Sequence, residues 1–252
     1  MKALILAAGF GSRLMPLTVQ TPKCMVSYQG QKILDYEIKA LRENNIDEIA
    51  IVGGYLYDTL QDYARAQGIT KLYRNEKYDC TNMVSTLFCA RDFLNLCAKT
   101  KEDIIISYAD IVYSKGIVAK LLECNMPLGI VVDKKWRELW KKRFENPLDD
   151  AETMKLDGNR ILELGKKPKS YDEIQGQYIG LFKISHAFLP QVIGFYDELD
   201  RGSIYDGKDF PNMYMTSFLQ ALIDRFCNAH AVEIYGGWME IDAKSDLEIL
   251  PC

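Results

Sequence analysis

Four short apolar runs constrain the architecture most: KALILAA at 2–8, EIAIVGG at 48–54, DIIISYAD at 103–110 and PLGIVVD at 127–133. None alternates apolar with polar residues, so each reads as a strand buried on both faces. Helical patterns separate them. ILDYEIKALREN repeats apolar residues at Ile33, Leu34, Ile38 and Leu41, and LYDTLQDYARAQG closes on a glycine. ITKLYRN is a further short strand, NMVSTLFCARDFLNLCA one long helix, and SKGIVAKLLECN another. Strands that alternate with helices predict βαβ units and an α/β fold with a mainly parallel, mixed sheet flanked by helices.

The pattern changes after residue 134. WRELWKKRF is a charged helix with two tryptophans, MKLDGNRILELG a hairpin about Asp157-Gly158, and GQYIGLFKIS a strand. Helices follow near 186–199 and 213–226, with the loop RGSIYDGKDFPN between them as a possible lid. AVEIYGGWMEIDAKSDLEIL predicts two strands and a terminal helix, a β/α extension over the sheet. No linker or repeat divides the chain. The expectation is a single domain over 1–252, with a nucleotide-binding half at 1–134 and an acceptor-binding half at 135–252.

Composition removes several classes of function. With 31 basic and 35 acidic residues the net charge is −4, against a broad nucleic-acid footprint. No apolar run is long enough to span a membrane and the N-terminus has no secretory pattern, so a cytoplasmic protein is expected. The seven cysteines (24, 80, 89, 97, 124, 227 and 252) are irregularly spaced and include no CxxC, which predicts reduced, mostly buried thiols. Only two histidines, His186 and His230, are present, and a histidine-based metal site is not expected.

The first strand runs into AAGFGSRLMPLTVQTPK, residues 7–23. A dinucleotide fingerprint would need a third glycine where Leu14 stands and an acid at the end of the second strand, which instead ends IVGGY. The pattern GxxxxGK[ST] is absent. Small residues Ala7, Ala8, Gly9 and Gly11 allow close approach of the backbone to a ligand, and successive amides in such a turn make an anion nest. Arg13 and Lys23 place two cations on the same loop. The residues alone leave two readings, a triphosphate cradle or a glycine turn carrying solvated cations.

The longer string separates them. It is similar to the signature G-x-G-x-R-L-x-P-L-T followed by P-K of the sugar-phosphate nucleotidylyltransferases, here Gly9, Gly11, Arg13, Leu14, Pro16, Leu17, Thr18, Pro22 and Lys23. The resemblance implies a Rossmann-like nucleotidyltransferase fold and transfer of a nucleotidyl group from an NTP to a phosphorylated small molecule. It implies that Leu6, Ala7, Ala8, Gly9, Phe10, Gly11, Ser12 and Arg13 surround the triphosphate, with Lys23 near the reacting phosphates. It implies Mg²⁺ held by Asp110, at the end of IIISYAD, and Asp242, in GWMEIDAKSDL. A magnesium ion asks for one or two carboxylates besides phosphate and water. Asp242 also fits a helix cap.

By the same resemblance the base lies against Gly53, Tyr55, Thr81, Asn82 and Ser85, with Thr81 or Asn82 also suited to cap the following helix. The TN pair and the short chain are similar to the cytidylyltransferase branch, which implies CTP. GKKP at 165–168 resembles a short E-K-P element, so Lys167, with Lys166 beside it, is expected on the acceptor's phosphate; Gly165 replaces the glutamate. QYIGLF places Tyr178 and Gly180 against the acceptor. An amino-acid acceptor would need an arginine and an acid, and the charged helix offers Arg137, Arg143, Glu138 and Glu145. A choline would need aromatic walls. The overall resemblance of the chain, especially over GFGSRLMPLTVQTPK and DKKWRELWKKRFENP, implies L-glutamine phosphate as the acceptor, with 2-aminoethylphosphonate, phosphocholine and sugar 1-phosphates as alternatives and an inactive nucleotide-binding regulatory domain as the reading outside enzymes.

Overall fold

The apolar runs fold as neighbouring strands of one nine-stranded sheet in a computed structural model that describes residues 1–250. Strand β1 (Lys2–Ala7) shows why they are apolar throughout. Ala3, Ile5 and Ala7 enter one hydrophobic layer, and Leu4 and Leu6 enter the other. Both faces are covered, so no position in the strand favours a polar side chain.

The chain continues through a small hairpin, β2 (Ser27–Tyr28) and β3 (Gln31–Lys32), into α1 (Ile33–Arg42). Then come β4 (Ile49–Gly53), α2 (Tyr57–Ala66) and β5 (Lys71–Arg74). The expected long helix is two, α3 (Met83–Cys89) and α4 (Arg91–Thr100), broken where Ala90 leaves helical geometry at φ −99°, ψ 30°. β6 (Ile104–Tyr108) is followed by β7 (Ile111–Tyr113), three residues that the sequence pattern assigned to no element. α5 (Lys115–Glu123), β8 (Leu128–Asp133) and α6 (Trp136–Arg143) complete the first part.

The expected hairpin is β9 (Met154–Asp157) and β10 (Arg160–Leu164), with Gly158 at φ +59° in its turn. β11 (Gln177–Ile184) and α7 (Leu189–Glu198) follow. The expected loop 201–212 holds a short hairpin, β12 (Ile204–Tyr205) and β13 (Lys208–Asp209), and leads into α8 (Met215–Phe226). β14 (Ala229–Ile234) and β15 (Trp238–Glu240) precede a 3₁₀ turn at Lys244–Glu248, where a terminal helix had been expected.

Sheet order is β5-β4-β1-β6-β11-β8-β14-β10-β9. Strands β5, β4, β1 and β6 are parallel, and β11 enters antiparallel between β6 and β8. β8 and β14 pair in parallel, and β10 and β9 close the edge antiparallel, so the sheet is mixed. Helices α1, α2, α5 and α6 cover one face and α3, α4, α7 and α8 the other. The chain moves outward from β1 to β5 and then returns to β6 on the other side of β1. That reversal opens a crevice at the carboxyl ends of β1 and β6, where ligands of open α/β sheets bind.

The cysteines are less buried than expected. Cys24 and Cys97 are buried, Cys89 and Cys124 intermediate, and Cys80 and Cys227 exposed, all as free thiols; Cys252 lies outside the described residues. Among the described residues no helix is long and apolar enough to cross a membrane.

Candidate active site

At the crevice the backbone leaves β1 through Ala8 and Gly9. Gly11 has φ +64°, a conformation L side chains rarely adopt, and a Cβ there would lie 3.0 Å from Lys23 Cβ. A Cβ at Gly9 would meet no protein atom within 4 Å. Glycine at that position is therefore not demanded by the protein's own packing, which fits a face kept open for a ligand. Thr18 Oγ1 donates to Gly11 O at 2.9 Å and closes the loop. Leu14, which stands where a dinucleotide fold has its third glycine, is fully buried.

The loop wraps a cleft of about 230 Å³ lined by Leu6, Ala7, Ala8, Gly9, Gly11, Ser12, Arg13 and Lys23, and across from them by Thr81, Asn82, Asp110 and Asp242. Asn82 caps α3 by accepting from Met83 N at 2.8 Å while also facing the cleft, so capping and ligand contact coexist. Not all expected nucleotide contacts reach it. Phe10, expected at the triphosphate, is 42% exposed and packs at a tilt on Tyr55 with centroids 4.1 Å apart, outside the lining. Tyr55 Oη donates to Val19 O, and Ser85 Oγ to Pro211 O. Gly53 is fully inside the sheet, where a Cβ would press on Tyr57 and Leu60. Tyr78, Met83 and Thr86 line the cleft instead. Sequence reading missed them because nothing in their local pattern separates a ligand contact from a helix start.

Topology closes the long sequence gap between the two aspartates. Asp110 follows β6, and β7 immediately pairs with β15 in the register Ile111↔Glu240. Ile241 N then donates to Asp110 O at 2.7 Å, which sets Asp242 beside Asp110. Lys23 Nζ sits between them, 2.7 Å from Asp110 Oδ2 and 2.8 Å from Asp242 Oδ1. Arg13 Nη1 reaches Asp242 Oδ2 at 2.5 Å and is otherwise 68% exposed. Burial disfavours the Lys23 ammonium, but the two carboxylates outweigh this and raise its pKa above the usual lysine value. The C-terminal turn starts at Ala243 and is closed from within by Asp246, which accepts from the amides of Asp242 and Ala243, leaving the Asp242 carboxylate to the site. Asp110 Oδ1 is buried with no hydrogen-bond partner among the described residues. Two converging carboxylates, one with an unused buried oxygen, fit the modest protein ligation that magnesium requires.

A second cavity of about 520 Å³ adjoins the cleft and shares Arg13, Asn82 and Met83 with it. Tyr178 and Gly180 line it, as expected, together with Tyr108, Trp140, Trp238 and Glu152. Gly180 has φ +86° where β11 bulges, and an added Cβ would lie 2.8 Å from Tyr108 Cδ2. Gly180→Ala is therefore expected to cost about 2–4 kcal/mol, from left-handed strain plus overpacking, and to raise the acceptor KM by displacing Tyr108. Urea denaturation and steady-state kinetics with varied acceptor check both effects.

The charged helix reaches the second cavity through Trp140 and not through its charged side chains. Arg137 stacks on Tyr171, 3.7 Å from its centroid, and lines neither cavity. Arg143 is buried between Glu240 (2.6 Å) and Asp246 (3.1 Å), where it clamps the segment that carries Asp242. Glu138 lies 4.0 Å from Lys135 on the surface. Lys166 and Lys167 lie in a third cavity of about 370 Å³, which shares Glu152 and Tyr214 with the second. Lys167 Nζ donates to the carbonyls of Leu148 and Asp149, each at 2.6 Å.

Burial, reinforced by the carboxylates of Asp150, Glu240 and Asp206, pushes the Glu152 carboxyl up to about 7. The folded state thus holds its proton more tightly than the unfolded chain does, and stability falls as pH rises from about 4.5 through 7. Glu152→Gln is expected to raise stability at pH 8 by on the order of 1–3 kcal/mol, with little gain at pH 4. Thermal melts of both proteins across that range check it.

A glycine loop at a sheet switch point, with two cations and two aspartates at its mouth, is the arrangement of a nucleotidyltransferase. Residues 3–148 match the family model described as the MobA-like NTP transferase domain, and the chain belongs to that family. Over 249 residues it is 60% identical to the CTP:phosphoglutamine cytidylyltransferase of Campylobacter jejuni subsp. jejuni serotype O:2, covering 99% of this chain and 98% of that one. A choline-phosphate cytidylyltransferase of Haemophilus influenzae is 36% identical across 42% of this chain and 46% of its own. Among solved structures, the inositol-1-phosphate CTP transferase from T. maritima superposes with a TM-score of 0.75 at 18% identity, covering 97% of this chain and 90% of that one. The CTP:phosphocholine cytidylyltransferase from Streptococcus pneumoniae gives 0.71 at 21% identity, covering 97% and 95%.

Proposed function

We propose that the chain is a cytidylyltransferase that joins CMP from CTP to L-glutamine phosphate and releases pyrophosphate. The observation that carries this reading is 60% identity to the Campylobacter jejuni enzyme over 99% of the chain. Residues 1–134 would supply most of the CTP cleft and residues 135–252 most of the acceptor cavity. The product would be a cytoplasmic, nucleotide-activated precursor of capsule phosphoramidate.

Asp110 and Asp242 would hold Mg²⁺. When bound, the ion would neutralise the phosphate oxygens that otherwise repel the incoming acceptor. The backbone amides of the glycine loop and Arg13 hold the β- and γ-phosphates, and Lys23 neutralises charge at the α-phosphate. The acceptor phosphate is largely dianionic at neutral pH, so no general base is required. One of its oxygens attacks the α-phosphorus as the bond to pyrophosphate breaks. The chain contributes alignment and preorganised positive charge.

The aromatic walls of the second cavity favour one rival acceptor, phosphocholine. Pyrophosphate release measured with each NTP against L-glutamine phosphate, phosphocholine, 2-aminoethylphosphonate and sugar 1-phosphates separates them. CTP-dependent turnover of L-glutamine phosphate is expected; a preference for any other acceptor overturns this assignment.

A further inference from the structure

The acceptor cavity is acidic, and its acids are not equally occupied. Asp150 Oδ2 accepts from Trp140 Nε1 at 3.0 Å, and Glu240 Oε2 is held by Arg143 at 2.6 Å. The side chain of Glu152 makes no hydrogen bond or ion pair among the described residues, although it is half-buried and lines the cavity. Tyr178 lines the same cavity, edge-on to Tyr108 with ring centroids 5.7 Å apart. Buried polar groups are normally paired, and unpaired ones facing a cavity mark the place of a ligand atom. A carboxylate in this setting calls for a cation.

Glu152 also lines the third cavity, which holds Lys166 and Lys167. Lys167 gives two of its three protons to backbone carbonyls, which fixes the ammonium and leaves one donor. The Lys166 ammonium pairs with Glu163 at 3.3 Å on the surface. A carboxylate acceptor and a pair of lysine donors thus meet at one boundary, and a free amino acid carries its ammonium and carboxylate on a single carbon.

We infer that the boundary between the second and third cavities is a zwitterion site, in which Glu152 receives the α-ammonium group of the acceptor and Lys166 with Lys167 receives its α-carboxylate. The inference rests on the proposed amino-acid-phosphate reading and names the residues that would separate such acceptors from sugar phosphates. It moves the recognising charges from the 136–145 helix, where the sequence pattern placed them, to the loops flanking β9 and β10, and it gives Lys166 and Lys167 the acceptor's carboxylate in place of the phosphate that the resemblance implied.

The test compares kcat/KM for L-glutamine phosphate with two analogues, one lacking the α-amino group and one lacking the α-carboxylate. Each is measured in the wild-type protein, Glu152→Gln and the Lys166→Ala/Lys167→Ala double variant. Glu152→Gln is expected to lower turnover of the two ammonium-bearing compounds roughly 10- to 100-fold while leaving the deaminated analogue within about threefold, as for loss of one desolvated charge contact. The lysine variant is expected to penalise only carboxylate-bearing compounds. The CTP KM stays constant throughout. Equal losses on all three acceptors, or no loss, overturn the site. If 2-aminoethylphosphonate proves to be the substrate and Glu152→Gln lowers its turnover alone, the glutamine reading falls while the ammonium contact stands. Preference for a sugar 1-phosphate overturns both.

Discussion

Asp110→Asn is expected to give a folded protein that binds CTP and does not turn over. Asp110 Oδ2 lies 2.7 Å from Lys23, and its other oxygen is buried and unpartnered. The amide removes the negative charge and replaces one oxygen with a donor, which cannot ligate a cation. A loss of about 10³-fold or more in kcat follows if this carboxylate holds the metal that neutralises the reacting phosphates. Lys23 keeps its contact with Asp242 at 2.8 Å, so the site is not left with an unpaired buried cation. The melting temperature should move by only a few degrees. Single-turnover pyrophosphate release, CTP titration and a thermal melt together check the prediction. Near-normal turnover would remove Asp110 from the metal site.

Lys23→Met should damage both activity and stability. In the wild type one ammonium, 13% exposed, bridges two carboxylates that are 16% and 13% exposed, and Arg13 pairs with the second of them. Its pKa is raised, so its stabilising contribution is complete below the unfolded lysine value near 10.5 and is lost only as pH rises through the higher folded value. Without it, Asp110 and Asp242 face each other with only the exposed Arg13 beside them. A cost of about 2–4 kcal/mol at pH 7.5 is expected. Activity should drop about 10²- to 10⁴-fold through loss of a positioned charge at the α-phosphate. Millimolar Mg²⁺ should restore stability to Lys23→Met more than it stabilises the wild type. Denaturant titrations with and without the ion measure this. No differential effect would mean that the two carboxylates do not share a cation.

Much of this was legible locally. The strands buried on both faces could be read because such burial disfavours polar residues, so composition alone marks Ile104–Tyr108 or Leu128–Asp133. The glycine loop could be read because close backbone approach and positive φ leave few residue choices, as at Gly11. What failed was set by contacts distant in sequence. Helix 82–98 broke at Ala90, with helix-forming residues on both sides. WRELWKKRF has the composition of a solvated helix, yet Arg143 is buried because Glu240 and Asp246 arrive from nearly a hundred residues away.

The sequence by itself determined the alternating α/β plan and the cationic glycine loop, since both follow from short-range periodicity and backbone sterics. Tertiary structure alone decided which charges meet. The β7–β15 pairing brings Asp242 to Asp110 and Lys23, and packing leaves Glu152 without a partner while Asp150 and Glu240 acquire theirs. Coulomb interactions in a partly buried cleft depend on distances of a few ångströms, and those distances are fixed by strand register and helix packing, which no local pattern encodes.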